Sequence, residues 1–156
     1  MNRKGFTLVE LVATIALLAV IAIISFVSIN GVINQSKVSN CNDLVNNIKS
    51  ATKKYISDNR YNLKTIGDDI YIGDFQIKKE NEVEYIEING TYLVDKNYLS
   101  GSIINPFAKE ESEKDVTSSV TIRVELNNDY TVSNGENSIL IKNASNNVID
   151  CDSGKW

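Results

Sequence analysis

The chain begins with a short basic segment and then runs almost without polar residues. From Leu11 to Ile29 it holds Ala13, Ile15, Leu17, Leu18, Val20, Ile21, Ile23, Ile24, Phe26 and Val27, interrupted by the uncharged Thr14, Ser25 and Ser28. About 20 apolar residues span a bilayer core as one helix, because no water is present there to satisfy unpaired backbone groups. Arg3 and Lys4 precede the run, so the N-terminus is expected to stay in the cytoplasm and the remainder to be exported. Glu10 sits at the edge of this segment, where a carboxylate is costly and marks a functional position whose natural partner is a positive charge.

From Val32 to about Asp58 the pattern turns amphipathic. Cys41, Leu44, Val45, Ile48, Ala51, Thr52, Tyr55 and Ile56 recur at spacings of three and four, and Lys37, Asn40, Asn42, Asn46, Asn47, Lys49, Lys53 and Lys54 take the opposite face. No Pro interrupts the region, and Gly31 is its one strong breaker candidate. One helix from Phe6 to about Ser57 would be roughly 78 Å long at 1.5 Å per residue. Lys53 and Lys54 near its end suit the negative pole of the helix dipole.

Residues 59–82 read as a connection rich in Asn, Asp and Gly around a short strand, Ile70-Tyr71-Ile72. Strand signals follow. Val83 to Ile88 alternates, and Asn89-Gly90 before Thr91-Tyr92-Leu93-Val94 predicts a type I′ hairpin. Val120 to Leu126 alternates too, leading through Asn127-Asn128 to Tyr130-Thr131-Val132, then Ser138 to Lys142 and a last piece, Asn147 to Cys151. Together these predict an α+β fold, a long N-terminal helix packed on one antiparallel sheet of four to six strands. Between the strands, Asn97 to Phe107 reads as a loop with Phe107 pinning it to the core, and Lys109 to Asp115 as a solvated charged loop.

Composition narrows the function. Histidine is absent, and no P-loop, GxSxG, HExxH or Rossmann fingerprint occurs, so an enzyme is not expected and neither is a cofactor. The formal charge is −4, and no dense basic run suggests nucleic-acid binding. Asp68, Asp69 and Asp74 could offer oxygens to calcium, but the spacing is not that of an EF-hand, and acidic turns are more often solvated. Cys41 and Cys151 are either two buried thiols or, in an exported domain, one disulfide closing a loop of about 110 residues.

Lys4-Gly5-Phe6-Thr7-Leu8-Val9-Glu10-Leu11 resembles the processing site of type IV pilins and their pseudopilin relatives. The resemblance covers about the first quarter of the chain. It implies a cut after Gly5 by a prepilin peptidase, N-methylation of the new N-terminal Phe6, and a role for Glu10 in filament assembly and register. Loss of residues 1–5 removes Arg3 and Lys4 and leaves 14 basic against 20 acidic residues, a charge of −6. The implied organisation is a leader (1–5), a transmembrane and filament-core half-helix (6–29), an amphipathic half-helix (30–58) and a sheet-bearing head (59–156). The implied role is a structural pilin, stored in the membrane, delivered by an inner-membrane assembly platform, and polymerised with other pilins into a surface filament. A pseudopilin of a type II secretion or DNA-uptake apparatus fits the same features. Many relatives carry a Pro midway along the apolar segment, whereas the one Pro here is Pro106. A secretory signal peptide fits less well, because the run is longer than such an apolar core and Asn30 to Gln35 offers no A-x-A-like site; a further alternative is a non-polymerising membrane-anchored binding module, with Thr7 and Glu10 as a capping box.

Overall fold

The apolar spacing between Cys41 and Ile56 belongs to α1 (Leu8–Asn59) in the computed structural model, which describes residues 7–156 apart from the side chains of residues 26–28. The chain divides into two compact units, Met1–Lys37 and Val38–Trp156, and α1 contributes to both. In the second unit Cys41, Ile48, Ala51, Thr52, Tyr55 and Ile56 are buried, and Asn42, Asn46, Asn47, Lys53 and Lys54 are exposed. The fully buried Thr52 donates its hydroxyl to Ile48 O at 2.7 Å, so it brings no unsatisfied group into the core. Contrary to expectation, the last turn of α1 holds no basic residue. Asn59 serves that end instead, donating its side-chain amide to Tyr55 O at 2.8 Å.

Two antiparallel sheets follow, not one. The first joins β1 (Leu63–Ile66), β2 (Asp69–Ile72) and β3 (Phe75–Gln76); the second runs in the order β4 (Lys78–Glu80), β5 (Val83–Asn89), β6 (Thr121–Leu126), β7 (Ile139–Lys142). In the larger sheet Ile86 pairs with Val124, Ile88 with Ile122, Ile122 with Ile141 and Val124 with Ile139. Directly paired residues share a face, so this register gathers the β-branched side chains on the buried side. They meet Ile48, Ala51, Tyr55 and Ile56 of α1 in one core. On the outer face the Arg123 guanidinium lies 3.7 Å from the Tyr85 ring centre and 2.7 Å from Glu80, and Lys78 bonds Glu87 at 2.6 Å. Tyr130–Val132 and Asn147–Cys151 make only isolated bridges, at Leu126–Val132, Lys142–Val148 and Asp150–Lys155, where full strands were expected.

The turns show why. Asn81 and Glu82, both at positive φ (49° and 67°), link the paired residues Glu80 and Val83, the geometry of a type I′ hairpin. Asn89-Gly90, expected to make such a turn, instead starts a helix, α2 (Gly90–Asp95). Asn89 is extended, and its side chain caps α2 by accepting from Thr91 N at 2.8 Å. Gly90 has no positive φ; its need is space. A Cβ there would lie 2.7 Å from both Ile103 Cδ1 and Thr117 O. Thr91-Tyr92-Leu93-Val94 is therefore helical, with Leu93 buried. The following loop is anchored by Ile103, at 0 % exposure, while Phe107 is only partly buried. Residues 109–115 are exposed and include a 3-10 turn, Glu111–Glu113.

Replacing Gly90 by Ala should destabilise the fold by about 1–3 kcal/mol through overpacking against backbone that cannot move aside. Replacing Gly31, which has nothing within 4 Å of its Cβ position, should not. Urea unfolding of the two full-length variants in detergent checks this: equal midpoints would remove the packing account of Gly90.

Candidate assembly site

Thr7 precedes the first residue of α1, which makes Glu10 the third helical position. Thr7 N and Thr7 Oγ1 both donate to Glu10 Oε2, at 2.9 and 2.8 Å, and Glu10 N donates back to Thr7 Oγ1 at 3.3 Å. This reciprocal capping box satisfies two donors that a helix start otherwise leaves open, and it places a carboxylate at the positive end of the helix dipole. Gly5 and Phe6, the expected cleavage and methylation positions, lie outside the described residues.

Beyond the cap, α1 is long and apolar enough to cross a membrane. Its large side chains from Leu8 to Ile24, with Ile29, Val32 and Ile33, are 47 % to 79 % exposed. The polar interruptions are absorbed by the helix: Thr14 Oγ1 bonds Leu11 O and Ser25 Oγ bonds Ile21 O, each at 2.8 Å. A finer pattern went unread in the apolar run. After Glu10, every third residue is small: Ala13, Ala16, Ala19, Ala22 and Ser25. A step of three turns about 300° around an α-helix, so the small positions face successive sides and admit close neighbours on more than one of them.

In the second unit Cys41 and Cys151 are joined, with Cα atoms 5.6 Å apart and a sequence separation of 110. The bond ties α1 to the C-terminal segment. The three aspartates do not act as a group. Asp69 belongs to β2 and Asp68 to the exposed β1–β2 turn. Asp74 accepts from Tyr92 Oη at 2.7 Å and lies 3.5 Å from Lys64 Nζ. Among the described residues no three His, Cys, Asp or Glu side chains are placed to hold a metal. The Tyr92 hydrogen bond, with Lys64 behind it, holds the Asp74 carboxyl below its ordinary value of 3.8. Asp74 also touches Tyr55, whose hydroxyl donates to Ile72 O at 3.0 Å and accepts from Asp74 N at 3.3 Å. The Tyr55 ring meets Phe75, Tyr92 and Tyr98 edge to face, with centres 5.3–5.8 Å apart. Burial is the main reason the Tyr55 hydroxyl is pushed up.

Residues 1–26 match the family described as the prokaryotic N-terminal methylation motif. This segment is the prepilin-processing signal of type IV pilins and pseudopilins. No curated protein and no solved structure matches the chain significantly.

Two outcomes follow from the anchorage. Reduction, or Cys41→Ala with Cys151→Ala, should cost about 2–5 kcal/mol of stability, because the unfolded chain regains the freedom of the long loop. Unfolding midpoints with and without reductant measure it, and an unchanged midpoint would remove the bond from the fold's energetics. Asp74, with its depressed pKa, should stabilise the fold above the unfolded-state value and lose that contribution as pH falls through the folded-state value. Denaturant unfolding between about pH 5 and about pH 2 should therefore show a shallower pH dependence for Asp74→Asn than for the wild type. Parallel curves would contradict the assignment.

Proposed function

We propose that this chain is a structural subunit of a type IV pilus-like surface filament. In this reading it is cut after Gly5, methylated on Phe6, held in the membrane by residues 6–29, and then polymerised through the same helix with other pilins. The single observation that carries the reading is a processing signal joined directly to a helix whose apolar side chains are exposed on all sides. Such a helix has two stable surroundings, lipid or similar helices, and moving from one to the other requires only a modest driving force. The small residues at every third position support several close helix neighbours at once.

Glu10 supplies a means of selection. Its capping box satisfies the carboxylate within one chain, which makes membrane storage tolerable without a partner. Cleavage at Gly5 would create an α-amine on Phe6, with an ordinary pKa near 7.7–8.0, and methylation keeps its charge. Two unit charges ~4 Å apart attract by about 4 kcal/mol at an effective dielectric of 20, before desolvation. A neighbour's amine at Glu10 would thus fix the axial register of an entering subunit.

The capping box makes the test discriminating, since Gln at the third position caps as Glu does but carries no charge. Surface filaments sheared from cells should contain this chain beginning at methylated Phe6, as read by intact mass. Glu10→Gln and Glu10→Val should both be processed yet fail to enter filaments in a strain without the wild-type copy. Normal filaments from Glu10→Gln would leave Glu10 as a cap alone. An N-terminus at Met1 or beyond Ile29, with no chain in the sheared fraction, would sink the filament reading.

A further inference from the structure

The second unit distributes charge unevenly. Residues 38–60 of the helix segment carry four basic and two acidic residues, whereas residues 61–156 carry nine basic and seventeen acidic. Lys53 and Lys54 stand exposed on α1, and Lys49, one turn before Lys53, is half-buried. Beside them is a cleft of about 170 Å³ lined by Lys53, Ile56, Ser57, Arg60, Thr131 and Val132. Arg60 lies over the Tyr61 ring, 4.5 Å from its centre, and its terminal nitrogen donates to the Tyr61 hydroxyl. Its Nε is buried and has no hydrogen-bond partner among the described residues. Neither Lys53 nor Arg60 takes part in the four ion pairs found among the described residues. Asp129 is the acidic residue that acts on Arg60 from the sheet side, and its Oδ1 accepts from the amide and hydroxyl of Thr131. A guanidinium and an ammonium that form no ion pair among the described residues, lining one cleft, make a basic surface suited to a carboxylate.

The densest run of acidic side chains in the head is Glu110, Glu111, Glu113 and Asp115. Asp115 is engaged with Thr117, and Glu111 with Lys114. Glu110 and Glu113 are exposed on the 3-10 turn with no ion pair among the described residues. We propose that the Lys53–Arg60 cleft of one copy receives the Glu110–Glu113 turn of a second copy of this chain. Opposite charge on two surfaces of one molecule gives a head-to-tail contact, in which each copy uses both surfaces. A contact of that kind propagates into a filament unless its rotation closes a ring. The proposal extends the filament reading from the helix to the head, and rests on it.

The test mixes processed full-length chains of light and heavy nitrogen, in detergent and in sheared filaments, and treats them with a carbodiimide. This reagent joins a lysine amine to a carboxylate in direct contact, forming an amide with loss of water. The Lys78–Glu87 pair within each copy is the internal control for folding and for the reaction. We expect mixed-isotope peptides joining Lys53 to Glu110 or Glu113, reduced at least tenfold in high salt, where screening shortens to about 3 Å at 1 M. Lys53→Glu with Arg60→Glu should lower the filament yield at least tenfold, and adding Glu110→Lys with Glu113→Lys should restore it. Same-isotope products alone, cross-links from Lys53 to another protein, or no restoration by the exchange would overturn the head contact. If the filament reading itself fails, the chain is missing from sheared fractions. The detergent cross-link then decides separately whether copies meet through these surfaces.

Discussion

The hydroxyl of Tyr55 has to be buried and bonded at the same time, and the head of this protein is arranged around that demand. At 1 % exposure the ring contributes apolar area to the core while its oxygen reaches the backbone of Ile72 and Asp74. Those two residues flank Gly73, whose φ is +60° and where a Cβ would sit 2.2 Å from the Tyr55 oxygen. One side chain of α1 thereby fixes the β2–β3 turn, and with it the small sheet, at a set height on the helix. Tyr92 closes the arrangement from α2 by bonding Asp74. Helix, turn and second helix are thus joined by a chain of hydrogen bonds through Tyr55, Asp74 and Tyr92.

Periodicity carried the elements that bury a continuous stripe. The amphipathic half of α1 was legible from Cys41 to Ile56, and the buried–half-buried alternation along β6 follows the alternation of its residue types. It failed where pairing does not depend on burial. All four residues of β1 are exposed, so no alternation marks that strand. The smaller sheet is therefore recognisable mainly through its turns, Gly67-Asp68 and Gly73-Asp74, where glycine takes the positive φ at the first turn position. Asn89-Gly90 misled because two physical needs select the same dipeptide. A type I′ turn wants positive φ, and a capped helix start pressed against Ile103 and Thr117 wants an amide acceptor followed by no side chain. Only the long-range packing of residues 103–120 separates these, and local sequence does not contain it.

The candidate site divides the same way. The apolar run, the processing octamer and the Thr7–Glu10 spacing are contiguous and were readable directly. The Lys53–Arg60 cleft draws Thr131 and Val132 from more than 70 positions away, so no window of sequence reveals it. The proposed division of labour follows from this. The contiguous apolar helix would supply affinity for similar helices or for lipid, with Glu10 setting the axial register. Charges assembled by the fold of the head would add further discrimination.

The Cys41–Cys151 bond gives the head a defined response to mechanical load. A pull applied between the N-terminal part of α1 and Trp156 passes through the sulfur bridge, and the chain between the two cysteines is shunted out of the line of force. Outside the bridged loop only the part of α1 before Cys41 and the residues after Cys151 can extend, each residue to at most about 3.6 Å, so the chain between the cysteines cannot be pulled out while the bridge is intact. Covalent strength replaces noncovalent strength along that path. A tethered strand of such subunits would then yield at the contacts between copies before any one copy unfolds.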